Sequence, residues 1–287
     1  MISLDRFEEL AGGLNHPEGV SWNPIDGRVY AGGEGGELYS ITLDGEVRQV
    51  GSSGGSMLGL AVDGAGCVYA CDAGKGEIAR WDPVTGDVAT YARGVGGRDM
   101  DTPNVAAFGP DGSLYVTCSG EQGRPEILRV PPGGAPAERW TDAVSGYPNG
   151  ALVTPEGDAL VVVEAHAQRL VRVPIGDDGS AGTPVVIAEL PDTDPDGVAL
   201  DADGNYWIAL YRPDGIVRIG PGGDAELVVD DHLASTLDAP TNIAWVGPQL
   251  DRIVIANVGG TSLAIADLGV RGWPLHSPQV LWMSRPM

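Results

Sequence analysis

Basic side chains are scarce in this 287-residue chain, with 17 Lys and Arg against 40 Asp and Glu and a formal net charge of −23. That excess repels phosphate backbones and anionic bilayers, which makes nucleic acid and membrane surfaces poor partners. Cysteine is rare as well: Cys67, Cys71 and Cys118 are odd in number, lie in predicted second strands and read as small buried hydrophobes rather than a disulfide frame. Cys67 and Cys71 stand four apart with no second pair, which argues against a zinc site there. No apolar run approaches the roughly 20 residues that span a bilayer. The opening Met1-Ile2-Ser3-Leu4-Asp5-Arg6-Phe7-Glu8-Glu9 has no apolar signal-peptide core. The expectation is a cytoplasmic protein. No convincing amphipathic helix and no low-complexity linker interrupts the chain. With 43% hydrophobic residues it can build a sizeable core, and residues 1–287 read as one domain.

What is present is a repeat. Asp194-Pro195-Asp196-Gly197-Val198-Ala199-Leu200-Asp201-Ala202-Asp203-Gly204 reads as a sharp Pro-Asp-Gly entry, a short strand and an Asp-Gly turn. The same phrase surrounds Pro17, Pro103, Pro148 and Pro240. Together with Pro195 these prolines are separated by 86, 45, 47 and 45 residues, and Met57-Leu58-Gly59-Leu60 fills the missing phase in the first gap. A fixed period near 45 residues signals a solenoid, propeller or array. The third unit contains four β-rich runs, Asn104–Phe108, Ser113–Thr117, Glu126–Val130 and Ala137–Thr141. Four strands in each of six units make an all-β, six-bladed β-propeller. The last unit supplies three strands, Asn242–Val246, Arg252–Val258 and Ser262–Asp267, so Arg6–Leu10 is expected to complete that blade and close the ring. The tail over about 269–287 is expected to pack outside the ring.

In a propeller the first residues of the innermost strands meet at one mouth of the central channel. The positions after the markers are Glu18, Leu58, Asn104, Asn149, Asp196 and Thr241, with Asn242 beside it. Two carboxylates and two amides converge there, and no Lys or Arg holds an equivalent position. Buried carboxylates cost several kcal/mol unless paired or bound to a cation. Asp, Glu and Asn oxygens suit Ca²⁺, Mg²⁺ or Mn²⁺ and admit Zn²⁺. The competing reading is that Asp and Asn precede Gly only because they accept turn geometry.

These motifs, Pro-Glu-Gly at Glu18, Pro-Asn-Gly at Asn149 and the long Pro-Asp-Gly-Val-Ala-Leu-Asp-Ala-Asp-Gly-Asn-Tyr-Trp phrase at Asp196, resemble the SMP-30/gluconolactonase/LRE-like family. The resemblance covers nearly the whole chain. It implies a divalent-metal-dependent hydrolase acting on carboxylic ester bonds, with a small lactone-like molecule as substrate. It implies metal ligands Glu18, Asn149 and Asp196 for one divalent ion, Ca²⁺ ahead of Zn²⁺, Mn²⁺ or Mg²⁺. It also implies that Asp196 takes a proton from water, while Asn104 contacts substrate and donates to the oxyanion. Thr102 occupies the place where sugar-lactone members carry Arg, and Glu121 matches an acid on a roofing loop. The alternatives are a metal-containing propeller of different chemistry, or a propeller that binds a small ligand or a protein without turnover.

Second-strand ends are expected to face the same mouth. Glu164 and His166 are thus candidates for acid–base work or substrate contact, and Tyr211 for lining the pocket; Glu34, Asp72 and Asn257 share that phase. His16 reads as a loop histidine. Asp192 to Gly197 approaches an EF-hand loop, but strands flank it where helices are needed, and Gly51-Ser52-Ser53-Gly54-Gly55 lacks the helix that follows a hydrolase nucleophile.

Overall fold

The computed structural model describes residues 1–134 and 136–282. Short β-rich runs broken by Gly, Pro and Asp fold into six four-stranded antiparallel sheets. Blade 1 runs Val20–Asn23, Arg28–Gly32, Glu37–Ile41 and Val47–Ser52; blade 3 runs Pro103–Phe108, Leu114–Cys118, Glu126–Val130 and Glu138–Thr141. Blades 2, 4 and 5 follow the same up-and-down order, with innermost strands Met57–Val62, Pro148–Val153 and Asp194–Leu200. This is a six-bladed β-propeller.

Blade 6 is closed as the repeat count requires. Its own strands are Pro240–Val246, Arg252–Asn257 and Leu263–Ala266, and Phe7–Ala11 adds as the outer strand, Phe7 opposite Ala266. That pairing removes the open edges an unclosed ring would present. Six apolar clusters lie between neighbouring blades, as where Tyr69, Cys71 and Ile78 of blade 2 meet Phe108, Leu114 and Val116 of blade 3. Alternation along each strand turns one set of side chains to each neighbour, so the three inner strands of each blade are largely buried on both faces while the outermost is part-exposed. The cysteines are free and buried; Cys67 stands one residue before its strand. Asp-Gly turns add polar pins: Asp201 accepts from the Trp207 indole at 2.9 Å and Asp63 from the Tyr69 hydroxyl at 2.9 Å. No helix of the described residues is long and apolar enough to cross a membrane.

The tail beyond Gly269 crosses the end of the channel opposite the marker prolines. Trp273 N–H donates to Leu200 O at 2.8 Å, the His276 ring bonds Thr154 O at 2.8 Å, and Pro278 O accepts from Gly64 N–H at 2.8 Å. Residues 273–277 thereby roof an axial cavity of about 430 Å³ lined by Val20, Leu60, Ala151, Val198 and Ile243. Sequence reasoning puts this tail outside the ring; its contacts carry it over the channel rather than around the circumference. Residues 283–287 of that tail lie outside the described residues.

Candidate metal centre

Five of the six innermost strands break register where the marker phase predicts a functional residue, and in blade 1 Glu18 precedes its strand Val20–Asn23. Pairing jumps between Pro103 and Ala106, Pro148 and Ala151, Pro195 and Val198, Pro240 and Ile243, and Met57 and Leu60. Asn104, Asn149, Asp196, Thr241 and Leu58 fall inside these interruptions, freed from the ladder in the way bulges re-aim side chains. Just ahead of them, His16, Thr102, Tyr147 and Ala239 adopt positive φ of 44°, 55°, 62° and 49° before proline. For non-glycine residues this stores on the order of 1 kcal/mol or more each, held by the surrounding structure.

The glycine after each site residue has a role the sequence does not announce. Gly59 and Gly197 are absent from the positive-φ residues, so turn geometry does not require them. A Cβ on Gly197 would stand 2.6 Å from Thr241 O and 2.8 Å from Asn242 Cα, and one on Gly59 2.7 Å from Asn104 O. A Cβ on Gly19 would collide with Leu58 O, and one on Gly150 with Asp196 O. Glycine is there because neighbouring innermost strands touch, backbone to backbone. This corrects the sharp-turn reading of Pro-Asp-Gly and removes the turn-former account of the acids and amides before it.

The contacts draw the predicted ligands together. Asp196 is buried, 8% exposed, and its carboxyl is pushed up to about 7 by burial, with an Asn149 hydrogen bond pulling the other way. Glu18 keeps part of its surface at the mouth but is ringed by protein. Burial first, then the charges of Asp196, Glu121 and Glu34, push its carboxyl up to about 8. Thr241 Oγ1 donates to Glu18 O at 2.9 Å and ties down the segment that leads into the first strand of blade 1. Asn104, Asn149 and Asp196 each have one buried side-chain oxygen without a partner, Oδ1 in all three. Among the described residues no three His, Cys, Asp or Glu side chains gather as a ligand set, and two carboxylates completed by amides are a different, all-oxygen set. Unsatisfied buried acceptors cost about 1–3 kcal/mol each, and a hard divalent cation resolves that cost together with the carboxylate repulsion. The residues fit such an ion.

The other candidates divide. Glu121, exposed on the loop latched by Asp101, accepts from the Tyr147 hydroxyl at 3.2 Å. Tyr147 stacks on His166 with centroids 4.4 Å apart. Burial, followed by Glu121, Glu18 and Asp196, pushes its phenol up to about 12. Tyr147 therefore belongs to the mouth, although sequence reasoning passed over it; its place two residues before Asn149 was the available signal. Thr102 lies partly buried beside it in the ring, its carbonyl accepting from Ser119 N–H at 3.0 Å. Glu164 is 1% exposed with both oxygens committed, to Gly146 N–H at 2.8 Å and Arg169 at 2.6 Å. It holds the loop that carries Tyr147 and has no oxygen left for acid–base work or substrate contact. Tyr211 is 41% exposed on the rim, under the Arg212 guanidinium at 4.8 Å. His16 is tied to Val258 O at 2.9 Å.

Asn104 is held by a hydroxyl of the neighbouring strand. Ser119 Oγ donates its one proton to Pro148 O at 3.0 Å, so it can only accept from Asn104 Nδ2, also at 3.0 Å. Hydrogen bonding thus leaves Oδ1 as the amide's unpartnered atom, while Nδ2 spends one of its two hydrogens on Ser119.

Comparison with known proteins follows the same geometry. The model of the SMP-30/Gluconolactonase/LRE-like region matches residues 16–258. The chain belongs to this family. Pentonolactonase XacC of Haloferax volcanii is 24% identical over 251 residues, covering 85% of this chain and 81% of that protein. Protein strictosidine synthase-like 6 of Arabidopsis thaliana is 26% identical over 227 residues, and the match spans 72% of this chain but only 58% of that relative's length. Among solved structures, a gluconolactonase from Xanthomonas campestris superposes with TM-score 0.78 at 21% identity, covering 93% and 89% of the two chains. A calcium-binding regucalcin from Agrobacterium tumefaciens gives 0.74 at 18%, covering 95% and 96%. At these identities the solved structures establish the fold alone.

Proposed function

We propose that this chain hydrolyses a lactone or related cyclic ester with one divalent cation, Ca²⁺ ahead of Zn²⁺, Mn²⁺ or Mg²⁺. The observation that carries the reading is the unpartnered Oδ1 atoms of Asn104, Asn149 and Asp196 beside two carboxylates, Glu18 and Asp196, with no cationic side chain among them. Glu18, Asn149 and Asp196 would hold the ion, with Asn104 adding a fourth oxygen or accepting from a substrate hydroxyl. When bound, such an ion polarises an ester carbonyl and makes water a stronger acid. Asp196 then receives the proton of the attacking water, and Glu121 with the Tyr147–His166 stack borders the entrance through which a small ring reaches the cradle. Water adds to the carbonyl carbon, the ring C–O bond breaks, and a hydroxy acid leaves. The names of the pentonolactonase and gluconolactonase relatives support this reaction class.

Thr102 favours substrates less hydroxylated than a sugar lactone, because it offers one short hydroxyl where the family resemblance leads to a guanidinium. A lactone panel measured after chelation and after re-addition of each metal tests the reading. Activity should vanish and return. Undiminished turnover in the metal-stripped protein or in Asp196→Ala would sink it, and cation binding without turnover of any ester would favour the ligand-binding alternative.

A further inference from the structure

The six blades provide an internal comparison. Register with the innermost strand aligns Thr117 of blade 3 with Gly32, Cys71, Val163, Ala209 and Ala256, and Ser119 with Glu34, Ala73, Ala165, Tyr211 and Val258. Only blade 3 carries hydroxyls at both positions. The fold does not need them there, since five blades form the same sheet without them.

Both hydroxyls are buried and both cross to blade 4. Thr117 Oγ1 is 2.8 Å from Asn149 O and accepts from Val105 N–H at 3.0 Å; Ser119 Oγ donates to Pro148 O at 3.0 Å. The same Ser119 oxygen accepts from Asn104 Nδ2, and Asn104 Oδ1 is the atom left unpartnered. An amide's terminal torsion is broad and roughly two-fold, so without a partner for Nδ2 the group can present N–H as readily as oxygen.

We propose that Ser119 is a positioning residue of the cation site: it sets the Asn104 amide with its oxygen inward and ties that amide to the backbone carrying Asn149. The inference rests on the cation reading above but concerns a residue that would touch neither ion nor substrate. Loss of an outer partner of a ligand typically weakens metal binding 10- to 100-fold.

The test is calorimetric titration of Ca²⁺ and Mn²⁺ into metal-stripped wild type, Ser119→Ala and Ser119→Thr, with thermal melting to verify folding. Ser119→Ala should bind about tenfold more weakly and Ser119→Thr within about threefold of wild type. In an Asn104→Asp background, where both side-chain oxygens are acceptors and orientation is immaterial, adding Ser119→Ala should change affinity less than about twofold. Wild-type affinity in a folded Ser119→Ala overturns this inference alone, as does an equal loss in the Asn104→Asp background. A folded wild type that takes up no cation overturns the cation reading and this inference together.

Discussion

Removing the cation should make stability fall with pH where the loaded protein is nearly level. The Asp196 and Glu18 carboxyls lie near 7 and 8 in the folded chain, against ordinary values of 3.8 and 4.5, with burial the leading cause. Metal-free, the folded state therefore holds protons that the unfolded state has released. Their contribution is complete below about pH 4 and is lost as pH rises through 7 to 8. A divalent ion requires both groups ionised. Treated independently, roughly a tenth of Asp196 and a hundredth of Glu18 are ionised at pH 6, against most of Asp196 and about half of Glu18 at pH 8. Apparent cation affinity should rise by about five hundredfold across that interval. A five-hundredfold gain in affinity is worth about 3.7 kcal/mol, or about 6 °C in melting temperature for a chain of this size. Melting curves at pH 6, 7 and 8, in chelator and in millimolar Ca²⁺, read this directly. In chelator the melting point should fall with pH; with Ca²⁺ the stabilisation should grow. Asp196→Asn should flatten both trends and raise the chelated protein's melting point at pH 8. A cation effect equal at pH 6 and pH 8, or a chelated protein that gains stability over this range, would refute the placement of two interacting acids in one buried cradle.

Gly197→Ala should destabilise by about 3 kcal/mol in denaturant titration, because backbone of the next blade stands where the methyl must go, and should weaken cation binding with it. Glu164→Ala should cost about 1–3 kcal/mol by leaving Gly146 N–H unpaired and the part-exposed Arg169 without its partner, yet keep kcat/KM for a hydrolysed lactone within about threefold. A large catalytic loss at unchanged stability would return Glu164 to the substrate side. Phe7→Ala should cost about 3–5 kcal/mol by emptying a core position in the closing strand; a loss below about 1 kcal/mol in denaturant titration would contradict the closure.

The ring and its acids were legible because both repeat at one phase. Pro17, Pro103, Pro148, Pro195 and Pro240 count the blades, and the residue after each marks a place on the rim. The closing strand followed from counting to three in the last unit. What escaped lies off that phase or depends on hydrogen placement. Tyr147 precedes its marker, and Ser119 sits on the second strand, where its meaning depends on a carbonyl of the next blade. The direction of the Asn104 amide cannot be read from residue type, since Asn carries donor and acceptor on one carbon. Gly59 and Gly197 invited a turn explanation because glycine serves turns and close approaches alike. Glu164 had the right address, but its guanidinium neighbour five residues on had already claimed it.

Pairing Phe7 with Ala266 has a kinetic corollary. The outer strand of the sixth sheet is synthesised before the first blade and waits until all the others have been made. A nascent chain with four blades complete already carries Glu18, Asn104 and Asn149 but lacks Asp196, so two acids cannot yet share an ion. Completion of the proposed cation site is thus tied to late translation, after the innermost strand of the fifth sheet has been made.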